Sequence, residues 1–238
     1  PPPPPFQAED GIRDKQICLV GSEMCIRDRG TVAVMRTLES PTPRLLVLLG
    51  GGIGSGKSSI ARVFATEGFR SISADEIGRT VLDFDDAARR AVEDRWPSAV
   101  RNGDIDRAQL ASIVFADRSQ LVTLEAITHP AIANRIFEEI EALGGHDVVV
   151  EVPLQHLPIA SIPGMETRRV AVVAPAELRL ARAVARGNDP GDVKQRMQLQ
   201  ADEVAWQTWA DHVVDNAGAW ADTERRVCEL IGELRHGA

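Results

Sequence analysis

The chain has 238 residues, of which 27 are basic and 35 acidic, so its formal net charge at pH 7 is −8. Such an acidic chain disfavours binding to nucleic acid or to an anionic membrane. No apolar run after Met35 is long enough to span a membrane. The three cysteines, Cys18, Cys25 and Cys228, predict neither a disulfide framework nor a metal site. We therefore expect a cytoplasmic protein.

The first 29 residues show neither helical nor strand periodicity. They resemble translated sequencing-adaptor sequence, and their longest apolar run, 17–20, is too short for the core of a signal peptide. We predict that residues 1–34 form a non-native or disordered leader and that the native chain starts at Met35. Residues 35–238 suit one α/β domain with an insertion.

The first predicted element is the apolar run Leu45–Leu49, which lacks alternation and is typical of a parallel strand buried on both faces. A P-loop pattern follows, in which four residues separate Gly51 from Gly56, and Lys57 and Ser58 come directly after Gly56. Its backbone N–H groups and the start of the next helix should converge on a triphosphate. Lys57 would then contact the β and γ phosphates, and Ser58 would hold Mg²⁺.

The predicted phosphate-binding segment comprises Gly51, Gly52, Ile53, Gly54, Ser55, Gly56, Lys57, Ser58 and Ser59. The alternative for this segment is a glycine-rich turn that binds nothing.

Helices and strands alternate along the rest of the chain. The patterns predict helices at 58–67, 176–186, 192–203 and 222–234, strands at 69–73, 147–152, 169–173 and 212–214, and a run of helices over 104–143. Pro130 is expected in the first turn of the third helix of that run. The alternation predicts a parallel sheet with right-handed crossovers. The helical run is too long for one crossover, which indicates an inserted substrate domain.

Two carboxylates follow predicted strands. Asp75 lies just past the strand at 69–73, and Glu151 ends the strand at 147–152. In an α/β sheet this edge is the ligand crevice. Asp75 can orient an acceptor hydroxyl or take its proton, and Glu151 can hold Mg²⁺ through water. The alternatives are that Asp75 caps a helix starting at Glu76 and that Glu151 forms a salt bridge.

Three arginines, Arg182, Arg186 and Arg196, lie at helical spacing around a Gly-Asn-Asp-Pro-Gly turn. A mobile arginine-rich flap can cover a triphosphate and neutralise its charge during transfer. The alternative is a solvated basic face.

The ordered segments of this chain resemble the dephospho-CoA kinase family over almost all of residues 44–235. The matching segments are "GGIGSGKSS", "ISADEIGRTV", "GDIDRAQLASIVFADRSQLVTLEAITHP", "VVVEVPL", the arginine series with Gln200, and "ADHVVDNAG". Many families share a P-loop, whereas "LEAITHP" and "ADHVVDN" at these separations are far more selective.

The resemblance implies ATP-dependent phosphorylation of the ribose 3′-hydroxyl of dephospho-CoA, the last step of coenzyme A synthesis. It implies a P-loop NTPase three-layer sandwich with three parts: a nucleotide core (44–74, 145–175 and 204–238), a helical CoA-binding insertion (75–144) and an arginine lid (176–203). By position, Lys57 and Ser58 bind the phosphates and Mg²⁺, and Asp75 matches the acid proposed to activate the hydroxyl. Arg182 matches a lid arginine, Arg186 joins the nucleotide site, and Asn216 falls in the block near the adenine.

Some positions depart from the family pattern. Ser73 stands where an acid is usual, Gln155, His156 and Leu157 replace the usual residues after "VPL", and a Pro-Gly pair is missing around 82–85. These changes affect the acceptor side more than the ATP side. Two alternatives are therefore another P-loop nucleotide or sugar kinase, and a non-catalytic nucleotide-binding protein of the same fold. We expect a monomer that uses ATP, Mg²⁺ and dephospho-CoA, with no nucleic-acid or membrane partner.

Overall fold

A computed structural model describes residues 44–153, 155, 159 and 162–236. The strands are β1 (Arg44–Gly50), β2 (Arg70–Ser73), β3 (Val100–Arg101), β4 (Asp104–Ile105), β5 (Val148–Glu151), β6 (Met165–Val173) and β7 (His212–Asp215). The helices are α1 (Lys57–Thr66), α2 (Ala74–Phe84), α3 (Asp86–Arg95), α4 (Arg107–Ala116), α5 (Arg118–Ala142), α6 (Ala176–Ala185), α7 (Pro190–Leu199), α8 (Glu203–Trp209) and α9 (Trp220–His236), with a 3-10 turn at Pro97–Ala99. The predicted leader, Met35, His156 and Leu157 lie outside the described residues.

Five of the described strands form one parallel sheet in the order β2-β5-β1-β6-β7. Its register aligns Ser73 with Glu151, and Glu151 with Leu49. Parallel strands bring their carboxyl ends to the same edge, so the P-loop, Glu151 and the residues after Ser73 meet there. The predicted α/β fold with a parallel sheet is confirmed.

The central strand β1 explains why its apolar run does not alternate. Leu46 and Leu48 belong to one core cluster, whereas Leu45, Val47 and Leu49 belong to the other. Successive side chains of a strand point to opposite faces, and here both faces are covered by helices. Burial of each Leu or Val contributes about 1.5–3 kcal/mol. The sheet is thus the middle layer of a three-layer sandwich.

Each face of the sheet has its own helical cover. Helices α1 and α9 cover one face through side chains that include Ile60, Phe64 and Leu230. The other face packs against helices of the segment between β2 and β5, through side chains that include Ile77, Ile136 and others of α2, α3, α4 and α5. The short hairpin of β3 and β4 also lies within this segment. No helix in the described part of the chain is both long and apolar enough to cross a membrane.

Two of the helix predictions are wrong. Pro130 does not start a helix but lies inside the 25-residue helix α5. A proline in a helix interior costs about 3 kcal/mol, and burial of Ala131, Ile132, Ile136 and Ile140 on this helix offsets that cost.

The predicted helix over 192–203 runs past the real end of the helix, because α7 ends at Leu199 and a separate helix, α8, begins at Glu203. Gln200 has an extended backbone, and the Asp202 side chain caps α8 by accepting a 2.8 Å hydrogen bond from the Ala205 amide. The chain therefore turns between the two helices at Gln200.

Candidate active site

The P-loop connects β1 to α1 and ends in a left-handed residue. Gly56 has a φ of 105° and is the N-cap of α1. A Cβ atom at this position would also collide with the side-chain amide of Asn216, so only glycine fits. Among the described residues no side chain caps α1. Its first backbone N–H groups and positive dipole end are therefore available to an anion.

Lys57 is the first residue of α1, and its ammonium lies against the loop. Its Nζ atom donates hydrogen bonds to the carbonyl oxygens of Gly51, at 2.7 Å, and Gly52, at 3.3 Å. Burial lowers the pKa of Lys57 below its usual value, and the negative charges of Asp75 and Glu151 oppose that shift. The ammonium is thus a poorly hydrated cation beside the anion-binding end of α1.

Glu151 lies one strand away from the P-loop and contacts it directly. Its Oε2 atom accepts a 2.8 Å hydrogen bond from the Oγ atom of Ser58. The pair supplies oxygen ligands, which Mg²⁺ prefers, and Mg²⁺ usually takes only one or two protein ligands beside water and phosphate. In the described residues no cluster of three or more His, Cys, Asp or Glu side chains could hold a metal. The two side chains could contribute oxygen ligands to a divalent cation.

Asp75 lies in the first turn of α2, at the same edge of the sheet. The alternative that it caps a helix is wrong, because Ser73 is the N-cap and its hydroxyl accepts a 3.3 Å hydrogen bond from the Glu76 amide. Helix α2 begins at Ala74, two residues earlier than this alternative assumed. Asp75 is exposed, and its charge acts on the Lys57 ammonium. Its carboxylate therefore faces the P-loop edge without a capping role.

Two of the three arginines predicted for the lid lie beside the P-loop. Arg182 of α6 and Arg186, which directly follows α6, line a cavity of about 370 Å³ together with Gly56, Ser58, Asn216 and Trp220. The Nη1 atom of Arg182 is buried, and the described residues offer it no acceptor. A buried guanidinium nitrogen that lacks a partner argues against the alternative of a solvated basic face.

Arg196 is not brought together with Arg182 and Arg186. It lines a second cavity, of about 360 Å³, between α4 and α7. The apolar side chains of Phe115 and Leu199 line the same cavity. Arg196 therefore lies in a different cavity from the other two arginines.

Asn216 is buried beneath the P-loop. Its Nδ2 atom donates a 2.8 Å hydrogen bond to the carbonyl of Ser55, and its Oδ1 atom accepts one of 3.2 Å from the hydroxyl of Thr223. Both polar ends of the side chain are therefore engaged within the protein. Asn216 borders the first cavity and supports the loop from below.

Sequence reasoning missed three residues of this region. Arg179 donates from Nε to the carbonyl of Ile53, at 3.0 Å, and the amide of Ile53 donates to Oε1 of Gln200, at 2.7 Å. Trp220 lines the first cavity from the start of α9. Gln200 belongs to the arginine series that carries the family resemblance, and this could have marked it as a site residue. No local pattern marks Arg179 or Trp220.

The family model described as dephospho-CoA kinase matches residues 45–222. The dephospho-CoA kinase of Thermobifida fusca is 36% identical over 195 residues, which cover 80% of this chain and 96% of that protein. The dephospho-CoA kinase of Streptomyces avermitilis is 37% identical over 199 residues, which cover 82% and 96%.

A solved structure of dephospho-CoA kinase from Campylobacter jejuni is similar to this chain in fold. Its TM-score is 0.57 at 26% identity, and the match covers 81% of this chain and 98% of that chain. The chain belongs to the dephospho-CoA kinase family.

Proposed function

We propose that this member of the dephospho-CoA kinase family transfers the γ-phosphate of ATP to the ribose 3′-hydroxyl of dephospho-CoA, which gives coenzyme A. One observation carries the proposal. Lys57, the Ser58–Glu151 pair and Asp75 meet at one edge of the sheet, so a phosphate-binding loop, oxygen ligands and a free carboxylate face the same point. Phosphoryl transfer requires these three components together.

The triphosphate would bind on residues 51–59, with the Lys57 ammonium moving from the loop carbonyls to the phosphate oxygens. Arg182 and Arg186 line the adjoining cavity, and their positive charges would stabilise the triphosphate there. The adenine of ATP would lie toward Asn216, which borders the same cavity. Because the unpartnered Nη1 of Arg182 is buried, a phosphate oxygen is a suitable acceptor for it.

Ser58 and Glu151 would hold Mg²⁺, Ser58 directly and Glu151 through water. When bound, this ion would neutralise charge on the β and γ phosphates. The hydrogen bond between the two side chains already brings their oxygen atoms to the same place.

Asp75 would orient the acceptor. The ribose 3′-oxygen forms a bond to the γ-phosphorus while the bond from that phosphorus to the β–γ bridging oxygen breaks, and ADP leaves. The hydroxyl proton goes to the Asp75 carboxylate. The transition state is loose, so the carboxylate contributes mainly by holding the hydroxyl in line.

The three-part organisation belongs to the same proposal: a nucleotide core (44–74, 145–175 and 204–238), an acceptor-binding insertion (75–144) and an arginine lid (176–203). The second cavity supports it, because α4 of the insertion and α7 of the lid line it together. Its apolar Phe115 and Leu199 suit the pantetheine arm of the acceptor, and Arg196 suits its diphosphate. We also infer a cytoplasmic monomer.

An acceptor assay tests this function. The purified full chain is given ATP and Mg²⁺ with dephospho-CoA, adenosine, AMP or gluconate, and ADP formation is measured. We expect turnover with dephospho-CoA alone. Turnover with one of the other acceptors would assign the chain to another kinase activity. ATP binding without turnover on any acceptor would mark a non-catalytic nucleotide-binding protein.

A further inference from the structure

Two lid residues hold the same P-loop residue from opposite sides. The amide of Ile53 donates a 2.7 Å hydrogen bond to Oε1 of Gln200, and the carbonyl of Ile53 accepts a 3.0 Å hydrogen bond from Nε of Arg179. Gln200 directly follows α7, and Arg179 lies in the first half of α6. The lid therefore grips both backbone polar groups of one loop residue across more than 120 positions of sequence.

The side chain of Arg179 is buried against the P-loop glycines. A Cβ atom at Gly52 would collide with the terminal nitrogens of its guanidinium. A Cβ atom at Gly54 would collide with the backbone of Arg179 itself. The glycines of the loop thus allow α6 to approach closely. Burial lowers the pKa of Arg179, and the charge of Glu203 opposes that shift.

The grip on Ile53 also determines where the cavity arginines lie. Arg182 follows Arg179 by three residues on α6, and Arg186 follows it by seven as the C-cap of that helix, so both lie near the same face as Arg179. When Arg179 is fixed on the loop, the rotation of α6 about its axis and its position along that axis are fixed as well. Gln200 fixes the far end of the lid in the same way, because it follows α7 directly.

We propose that Gln200 and Arg179 are positioning residues that form an Ile53 clamp, which couples the arginine lid to the P-loop. The clamp arranges Arg182 and Arg186 against the cavity before ATP enters. This inference rests on the proposed function only in that the cavity takes ATP. Neither residue needs to touch the reacting atoms.

Limited trypsin digestion of the ligand-free full chain tests the clamp without any acceptor. Trypsin cleaves after lysine and arginine, and besides the buried Arg179 the lid carries such residues at Arg182, Arg186, Lys194 and Arg196. Gln200→Ala removes the acceptor for Ile53, and we expect lid cleavage several-fold faster than in the wild type, because one lost hydrogen bond corresponds to roughly 2- to 10-fold in an opening equilibrium. Gln198→Ala, an exposed glutamine of the same helix, is the matched control.

Gln200→Glu separates the contact from other effects of substitution. A glutamate retains an acceptor oxygen at the same reach, so lid cleavage should return to the wild-type rate. Its negative charge beside the triphosphate should still raise the Kd for ATP. Cleavage in Gln200→Ala at the rate of Gln198→Ala would overturn the clamp.

Arg179 is tested through its coupling to Gln200. Arg179→Lys keeps the charge but lacks an Nε donor at the right place. The double variant combines Arg179→Lys with Gln200→Ala. If both residues act through Ile53, its Kd for ATP should rise by a smaller factor than the product of the factors for the two single variants. Strictly multiplicative effects would contradict a shared clamp. Absence of turnover on dephospho-CoA would disprove the proposed function and leave the cleavage result standing.

Discussion

The hydroxyl of Ser58 donates a 2.8 Å hydrogen bond to the carboxylate of Glu151, although the two residues are 93 positions apart in the chain. The register of β5 beside β1 produces this contact, because it places Glu151 level with Leu49 at the start of the P-loop. The contact joins the two oxygen ligands proposed for Mg²⁺.

Removing the charge of Glu151 should weaken the binding of Mg²⁺ without disturbing the fold. Glu151→Gln retains an oxygen that can accept the hydrogen bond from Ser58 but loses the negative charge. We expect the Mg²⁺ concentration for half-maximal activity to rise roughly tenfold or more. The measurement is a Mg²⁺ titration at fixed ATP. Glu141→Gln, an exposed glutamate at the end of α5, is the control. An unchanged Mg²⁺ dependence in Glu151→Gln would remove Glu151 from the metal site.

Lys57 should be required for turnover but not for folding. Lys57→Ala removes the ammonium that lies on the loop carbonyls, and we expect kcat to fall on the order of 10²-fold or more. The far-ultraviolet circular dichroism spectrum should be unchanged, because the strand and helix around the loop are held by their apolar side chains. Lys194→Ala, an exposed lysine of α7, should leave kcat near the wild-type value. Near-normal kcat in Lys57→Ala would contradict the P-loop mechanism.

Asp75 should affect the acceptor step alone. Ser73 caps α2, so Asp75→Asn leaves the cap intact. We expect ATP affinity and the free energy of unfolding to change little, while kcat with dephospho-CoA falls roughly 10²-fold or more, the scale of a positioned base. Glu76→Gln removes a charge from the same helical turn and controls for the helix dipole. If Asp75→Asn keeps a normal kcat, the search for the base moves to Glu151.

Asn216 should contribute to the stability of the fold as well as to the binding of ATP. Asn216→Ala leaves the carbonyl of Ser55 and the hydroxyl of Thr223 without their partner. A buried polar group that loses its partner costs about 1–3 kcal/mol, so the free energy of unfolding should fall by that order. Urea unfolding measures the change. Thr223→Val removes one of the two contacts and should cost less than Asn216→Ala. Equal stability of Asn216→Ala and the wild type would show that the loop does not depend on this support.

Local patterns in the sequence were sufficient for the sheet and the P-loop. The apolar run before Gly51 and the helical pattern after Lys57 each depend on neighbours a few residues away. The corresponding strand and helix occur where they were expected. Asp75 and Glu151 were placed at one edge because parallel strands share that edge, and the structure brings both near Lys57.

Long-range contacts explain what the sequence could not predict. Arg179 has no local signal, because its hydrogen bond to Ile53 spans 126 positions. The course of α5 through Pro130 depends on burial of side chains such as Ile136, which becomes visible only when the sheet is in place. The start of α2 depends on whether Ser73 or Asp75 caps it, and both residue types are good caps.

Single-turnover transfer of labelled γ-phosphate from ATP is the direct test of whether the chain phosphorylates the 3′-hydroxyl of dephospho-CoA. The full chain, in excess over substrate, is mixed with labelled ATP, Mg²⁺ and either dephospho-CoA or its 3′-deoxy analogue, and label in the acceptor is measured over time. We expect transfer to dephospho-CoA and none to the analogue, because Asp75 orients the 3′-hydroxyl toward the phosphate held by the P-loop. Transfer to the 3′-deoxy analogue, or no transfer to dephospho-CoA while ATP is bound, would contradict this expectation.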